Sequence, residues 1–233
     1  MSINTKKYQD ILSELDGKAT LVAVSKTKPA EDIQALYDLG HRDFGENYVQ
    51  ELTKKYEQLP KDIRWHYIGH MQSNKVKYIA PFIYLIHGVD SYGLLKEINR
   101  QALKNNRVID CLLQVHIAKE ETKFGLDSHE LDELITRIKN EPCLPAGRLH
   151  ELKNVHICGL MGIASFSNNM DLVRSEFKYL KSLSDKNTQL PIANYQLSIL
   201  SMGMSADYKI ALEEGSNMVR IGSLVFGERN DNS

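Results

Sequence analysis

Short apolar runs alternate with amphipathic helical stretches along the whole chain, and the number of repeats limits the fold. Runs at 21–25, 42–45, 64–69, 83–88, 108–117, 155–164, 195–200 and 218–221 read as strands. The helix after the first opens at Pro29 and Glu31, carries Ile33, Leu36 and Tyr37 on one face and stops at Gly40. Further helices are expected at 47–58, 73–79, 91–105, 169–184 and 205–214, with Leu131, Leu134, Ile135 and Ile138 at helical spacing after the fifth strand. A leading helix covers 4–15, and a short element follows the last strand. Eight strand-helix units in 233 residues amount to about 29 residues each, close to the βα repeat of a TIM barrel. The rival is an open doubly wound sheet of about five to seven strands. Eight units leave no residues for a second domain, so the reading is α/β, a single TIM (β/α)8 barrel over residues 1–233. The stretch EPCLPAGRLHELKN, at 141–154, reads as a loop insertion before the sixth strand.

Charge narrows the partner. With 29 Lys plus Arg against 30 Asp plus Glu the formal net charge is −1, which offers no general attraction to nucleic acid or an anionic membrane. A small-molecule ligand is expected instead. Cys111, Cys143 and Cys158 form neither a CxxC pair nor an even-numbered framework, so reduced thiols are expected rather than a disulfide scaffold or structural zinc. The N-terminal MSINTKKYQDILSELDGK lacks the apolar core of a signal peptide, and no run approaches the roughly 20 apolar residues that span a bilayer. A soluble cytoplasmic protein is the expectation.

In a barrel, ligand chemistry belongs at the C-terminal ends of the strands. In LVAVSKTKP, period-2 alternation places Lys26 with Val22 and Val24, toward the barrel mouth. An amine desolvated there has a lowered pKa, and the neutral form condenses with an aldehyde; the plainer alternative is a lysine that snorkels to solvent. In NMVRIGSLVFG the same alternation groups Met218, Arg220 and Gly222. Closure makes strand eight the neighbour of strand one, so Arg220 and Lys26 approach one site. Two converging cations imply an acceptor-rich or anionic ligand between them.

Gly222 and Ser223, together with Ser201 and Ser205 after strand seven, suggest a phosphate cradle where TIM barrels often have one. Taken singly they are turn and cap residues, with Ser205 a candidate cap for the helix of 206–214. Glu46 or Asn47, after strand two, would touch a ring substituent or orient Lys26, or Asn47 would cap the next helix. Met161, Met202 and Met204, near strand ends, would wall a ring or, more simply, fill the core. His66, His70, His116 and His156 lack an acidic ligand in a recognised spacing, so no metal is expected. No GxGxxG occurs, and Asn74 stands at the second glycine position of the stretch from Gly69 to Lys75, which disfavours a Walker-type nucleotide site.

The motifs AVSKTKP, FGENYVQE, WHYIGHMQSNK, KFGL, GLMGIAS, LSMGMSADY and VRIGSLVFGER, in that order through nearly the whole chain, resemble the YggS/PROSC-type pyridoxal phosphate-binding proteins, the pyridoxal phosphate homeostasis family. The resemblance implies a barrel like the N-terminal domain of alanine racemase. It implies pyridoxal 5′-phosphate bound as a Schiff base on Lys26, with Arg220 facing the pyridine nitrogen. Gly222, Ser223, Ser201 and Ser205 would surround the phosphate, with Asn47 near the ring and Met161 near the barrel floor. An arginine at that nitrogen leaves it largely unprotonated and weakens the ring as an electron sink. Alanine racemase adds a tyrosine base through a C-terminal domain for which this chain has no residues.

The expectation is therefore a monomeric carrier in vitamin B6 balance, without established turnover or assigned catalytic residues, and with apo forms of pyridoxal phosphate-dependent enzymes as recipients. A weak amino acid racemase using Lys26 and either His70 or Tyr67 is the alternative, and a cofactor-free Schiff-base aldolase the third.

Overall fold

The computed structural model describes residues 3–120, 124–139, 152–188 and 195–227. Strands β1 (Thr20–Val24), β2 (Asp43–Glu46), β3 (Arg64–Tyr67), β4 (Leu85–Val89), β5 (Ile109–Val115), β6 (Val155–Gly162), β7 (Tyr195–Ser201) and β8 (Met218–Ile221) pair in chain order. β8 returns to β1, and the sheet closes as a parallel barrel. Around it lie α1 (Thr5–Leu15), α2 (Ala30–Asp38), α3 (Val49–Gln58), α4 (Val76–Ile79), α5 (Tyr92–Lys104), α6 (Ser128–Lys139), α7 (Met170–Asn187), α8 (Tyr208–Glu213) and α9 (Ser223–Phe226). The expected TIM barrel is the architecture found. Most of the insertion expected at 141–154 lies outside the described residues.

The helices start where short polar side chains satisfy their free N–H groups. Asn4 accepts from Lys7 N, Ser91 from Leu94 N and Asn169 from Leu172 N. Asn4 also donates its backbone N–H to Val225 O at 2.7 Å, which ties α1 to α9.

Strand alternation separates two apolar layers. Outward residues such as Leu21, Ala23, Phe44, Trp65, Ile86 and Ile221 join the helices in the main core. Val22, Leu85, Leu112, Cys158, Met161 and Met218 form a smaller cluster inside the barrel. Asp43, His66, His87 and Arg220 share the interior parity, so the barrel is filled by an apolar part and a polar part.

Among the described glycines the closest backbone approach lies between β6 and β7, where a Cβ on Gly159 would stand 2.0 Å from Ile199 O. Both pairings of β6 shift register near this residue. Gly159→Ala is expected to lower stability by about 3 kcal/mol, the upper end for overpacking, because a backbone carbonyl cannot swing aside as a side chain would. Urea unfolding measures the loss, and a change below about 0.5 kcal/mol, the ordinary surface-mutation range, would contradict it. Among the described residues no helix is long and apolar enough to cross a membrane.

Candidate functional site

β1 and β8 pair with Val22 opposite Arg220, and Lys26 follows four residues after Val22 at the mouth. The two cations therefore come from adjacent strands, one at the mouth and one deeper. Lys26 is partly buried. Its backbone is held from both sides: Lys55 Nζ donates to Ser25 O at 2.7 Å, and Thr27 N donates to Glu51 Oε1 at 2.6 Å. Thr27 has φ +64°, a conformation that β-branched residues rarely adopt, so the surrounding bonds over-determine this turn.

Glu46 supports the same turn from outside the barrel. Its Oε1 accepts from Ser25 Oγ at 2.6 Å and from Lys55 Nζ at 2.7 Å. Burial pushes its carboxyl up to about 7, against the pull of Lys55. Of the two roles open to Glu46, the geometry fits orientation of the lysine turn, since it shares the outward parity of Phe44.

Asn47, the next residue, has its Oδ1 buried without a hydrogen-bond partner. It does not cap α3, whose N-cap is Tyr48. A buried amide oxygen left unpaired is costly unless a ligand satisfies it.

Arg220 is 4% exposed. Its Nη1 donates to Ser201 O at 2.9 Å and Ser201 Oγ at 2.7 Å, and its Nη2 donates to Gly162 O at 2.9 Å. The Nε–H lies outside these contacts. Burial lowers its pKa to about 10, which leaves a cation at neutral pH, and the charge of Asp207 opposes the fall. Ser201 is fully buried and its hydroxyl serves Arg220. Met161 is also fully buried and lies beside Ser201 in the β6–β7 register, within the interior cluster.

The loop after β7 turns at Gly203, with φ +94°, where a Cβ would meet Ala211 Cβ at 2.6 Å. Gly203 O accepts the Arg220 N–H at 3.0 Å, so this loop and β8 are fastened together. Ser205 is partly buried in the turn that follows. It does not cap the next helix. α8 begins at Tyr208 with Asp207 as N-cap, and the Asp207 carboxylate turns back to accept from Met204 N at 2.6 Å. Gly222 packs its Cα near β1, where a Cβ would meet Val24 O at 3.1 Å. Ser223 is exposed at the start of α9.

The histidines are dispersed. His66 and His87 lie inside the barrel, His70 stacks on Phe124, and His116 bonds to Glu120 O. Asp110, His156 and Cys158, toward the starts of β5 and β6, bring their donor atoms within 4.8 Å of one another. His156 Nδ1 is already bonded to Asp110 Oδ1, and burial pushes the Cys158 thiol up to about 12. Sequence reasoning missed the supports of the site, namely Glu51 and Lys55 behind Lys26, and Asp43 and His87 in the interior.

A family model described as alanine racemase, N-terminal domain, matches residues 2–230. The pyridoxal phosphate homeostasis protein of Aquifex aeolicus (strain VF5) is 44% identical over 212 residues, covering 91% of this chain and 87% of that protein. The structure of PipY from Synechococcus elongatus PCC7942 with PLP bound superposes with a TM-score of 0.83 at 32% identity, over 95% of this chain and 99% of that one. Alanine racemase from Bartonella henselae, with covalently bound pyridoxal phosphate, gives a TM-score of 0.65 at 17% identity. That match covers 98% of this chain and 62% of the racemase, and is a likeness of fold.

Proposed function

This chain belongs to the pyridoxal phosphate homeostasis protein family, and from that premise we propose that it holds pyridoxal 5′-phosphate on Lys26 and carries it without catalytic turnover. The observation that carries the reading is the placement of Lys26, in the turn after β1, beside the adjacent strand that bears Arg220, each braced by buried hydrogen bonds. The residues present fit the cofactor. Asn47 Oδ1 is a buried acceptor without a partner, and Arg220 keeps its Nε–H outside its protein contacts. Gly222 and Gly203 keep space where a side chain would collide with β1 or α8.

When bound, the cofactor supplies an aldehyde that captures a primary amine reversibly, and an aromatic ring that withdraws electrons. Lys26 provides the amine, Arg220 faces the ring nitrogen as a donor, and Ser205, Gly222 and Ser223 hold the phosphate. Met161 closes the floor, and Ser201 acts beneath Arg220 as its acceptor.

The chemistry of the braces favours carriage over turnover. Arg220 can donate a hydrogen bond but cannot protonate a ring nitrogen as readily as an acid would, which weakens electron withdrawal. Tyr67, one candidate second base, has its hydroxyl pushed up to about 12 by burial and donates it to His70 O, which makes it a poor proton acceptor at neutral pH. The reading extends to a monomer in the cytoplasm that delivers cofactor to apo forms of pyridoxal phosphate-dependent enzymes.

The test is a visible spectrum of the purified protein with and without added pyridoxal phosphate, followed by borohydride reduction and peptide mass mapping. A yellow protein with a pyridoxyl adduct on Lys26, and no exchange of α-deuterium from alanine or serine, is expected. A colourless protein without the adduct would overturn binding, and Lys26-dependent α-deuterium loss would overturn carriage.

A further inference from the structure

Arg220 is a buried cation whose guanidinium bonds go to Ser201 and to Gly162 O, with the charge of Asp207 acting on it as well. A chain of buried polar groups leads from it across the barrel. Arg220 Nη1 lies 2.7 Å from Ser201 Oγ, Ser201 Oγ 3.2 Å from His87 Nδ1, His87 Nε2 3.0 Å from His66 Nδ1, and His66 Nε2 3.1 Å from Asp43 Oδ1. The side chains come from β8, β7, β4, β3 and β2. Since β7 and β4 are not neighbours in the sheet, the link from Ser201 to His87 spans the interior.

The chemistry allows one direction of donation. Arg220 has donors and no acceptors, and an ionised Asp43 has acceptors and no donors. Burial opposes the charge of Asp43, but hydrogen bonds from Arg64 and His66 outweigh it and hold the carboxyl well below its usual range. His66 must then donate through Nε2. Burial lowers the pKa of both histidines, so each ring is neutral and has one N–H. His66 Nδ1 is left as an acceptor, which makes His87 donate through Nε2 and accept at Nδ1. Ser201 completes the chain by donating its hydroxyl proton to His87 and accepting from Arg220. Each group thus donates to the next, and bonds aligned in this way polarise one another in a low-dielectric interior.

We propose that Ser201, His87, His66 and Asp43 are positioning residues for Arg220, forming a one-way hydrogen-bond chain that fixes the guanidinium toward the ring of bound pyridoxal phosphate and carries the negative character of Asp43 to it. The inference rests on the carrier reading for the identity of the ligand. It does not depend on that reading for the direction of the chain.

Two experiments test it. In the cofactor-free protein, long-range proton–nitrogen correlation spectra should show His66 and His87 as neutral Nε2–H tautomers between about pH 7 and 8. A Nδ1–H tautomer or a cationic ring at either position overturns the chain. In the second, Ser201→Ala and His87→Leu are titrated with pyridoxal phosphate. With native circular dichroism and the Lys26 adduct retained, each should raise Kd about tenfold, as loss of a charge-assisted hydrogen-bond network does, and shift the visible band of the bound cofactor. Native affinity with an unmoved band in either folded variant overturns the positioning role. If His87→Leu does not fold, Ser201→Ala, which removes one oxygen, decides the question. A wild-type protein that takes up no pyridoxal phosphate would sink the carrier reading, while the tautomers would still decide the direction of the chain.

Discussion

Lys26→Ala should yield a protein that gains no borohydride-stable pyridoxyl group anywhere in the chain and lacks the visible band of the lysine-bound cofactor. The expectation follows from placement. Lys26 lies two residues past the end of β1 at the mouth, next to the strand that bears Arg220, in a turn held by Glu46, Glu51 and Lys55. Lys28 follows Pro-flanked loop geometry into α2, and Lys55 commits its Nζ to three protein acceptors. Lys55 therefore offers no substitute amine at the site. Noncovalent affinity for the phosphate and ring should survive at a lower level, with Kd raised on the order of 100-fold, equivalent to about 2.7 kcal/mol. Lys28→Ala should retain both colour and adduct. Mapping of the reduced protein by mass spectrometry separates these outcomes, and an undiminished adduct in Lys26→Ala would refute the assignment.

The barrel was legible because each strand-helix unit repeats one pattern, and the count needs no tertiary knowledge. Lys26 and Arg220 were legible because each is a long cation in an otherwise apolar strand, and closure of the barrel makes their strands neighbours. The supporting groups were harder to read. Asp43 lies in the polar stretch HRD where the second strand begins, and nothing local indicates that it meets His66, 23 residues away, or that His66 meets His87. Those contacts depend on register and shared interior parity across β2, β3 and β4, which become visible only when the sheet is assembled. Glu46 and Asn47 illustrate the same limit on adjacent residues: one step along the chain exchanges the face beneath α3 for the mouth. The capping role open to Ser205 is not the one it plays, because Asp207, two residues later, is the N-cap residue of α8 and accepts the Met204 N–H.

Lys55→Met should be among the most damaging single changes to the fold, with a cost that grows with pH. Lys55 is 6% exposed, and its ammonium donates to Ser25 O, Glu46 Oε1 and Glu51 Oε1. Methionine fills similar space but leaves Glu46 in a buried site with only the Ser25 hydroxyl on Oε1 and no partner on Oε2. Removing one member of a buried pair costs about 3–5 kcal/mol, since the other charge stays uncompensated. The carboxyl of Glu46 already sits at about 7, raised from the ordinary 4.5 by burial, and loss of Lys55 raises it further. Below about pH 4.5 the acid is protonated in both folded and unfolded chains, so it contributes no pH-linked loss. As pH rises from there, the unfolded chain releases a proton that the folded chain retains, and stability falls. The wild-type penalty levels off above about 7, whereas in Lys55→Met the fall continues to higher pH. Urea unfolding of both proteins should therefore give a smaller difference near pH 5 than near pH 8. An equal cost at both values would mean that Glu46 is not the source. Because the lost bonds also brace residues 25–27, the variant should exchange the Thr27 amide faster and bind pyridoxal phosphate more weakly even at pH 5, where its fold is least affected.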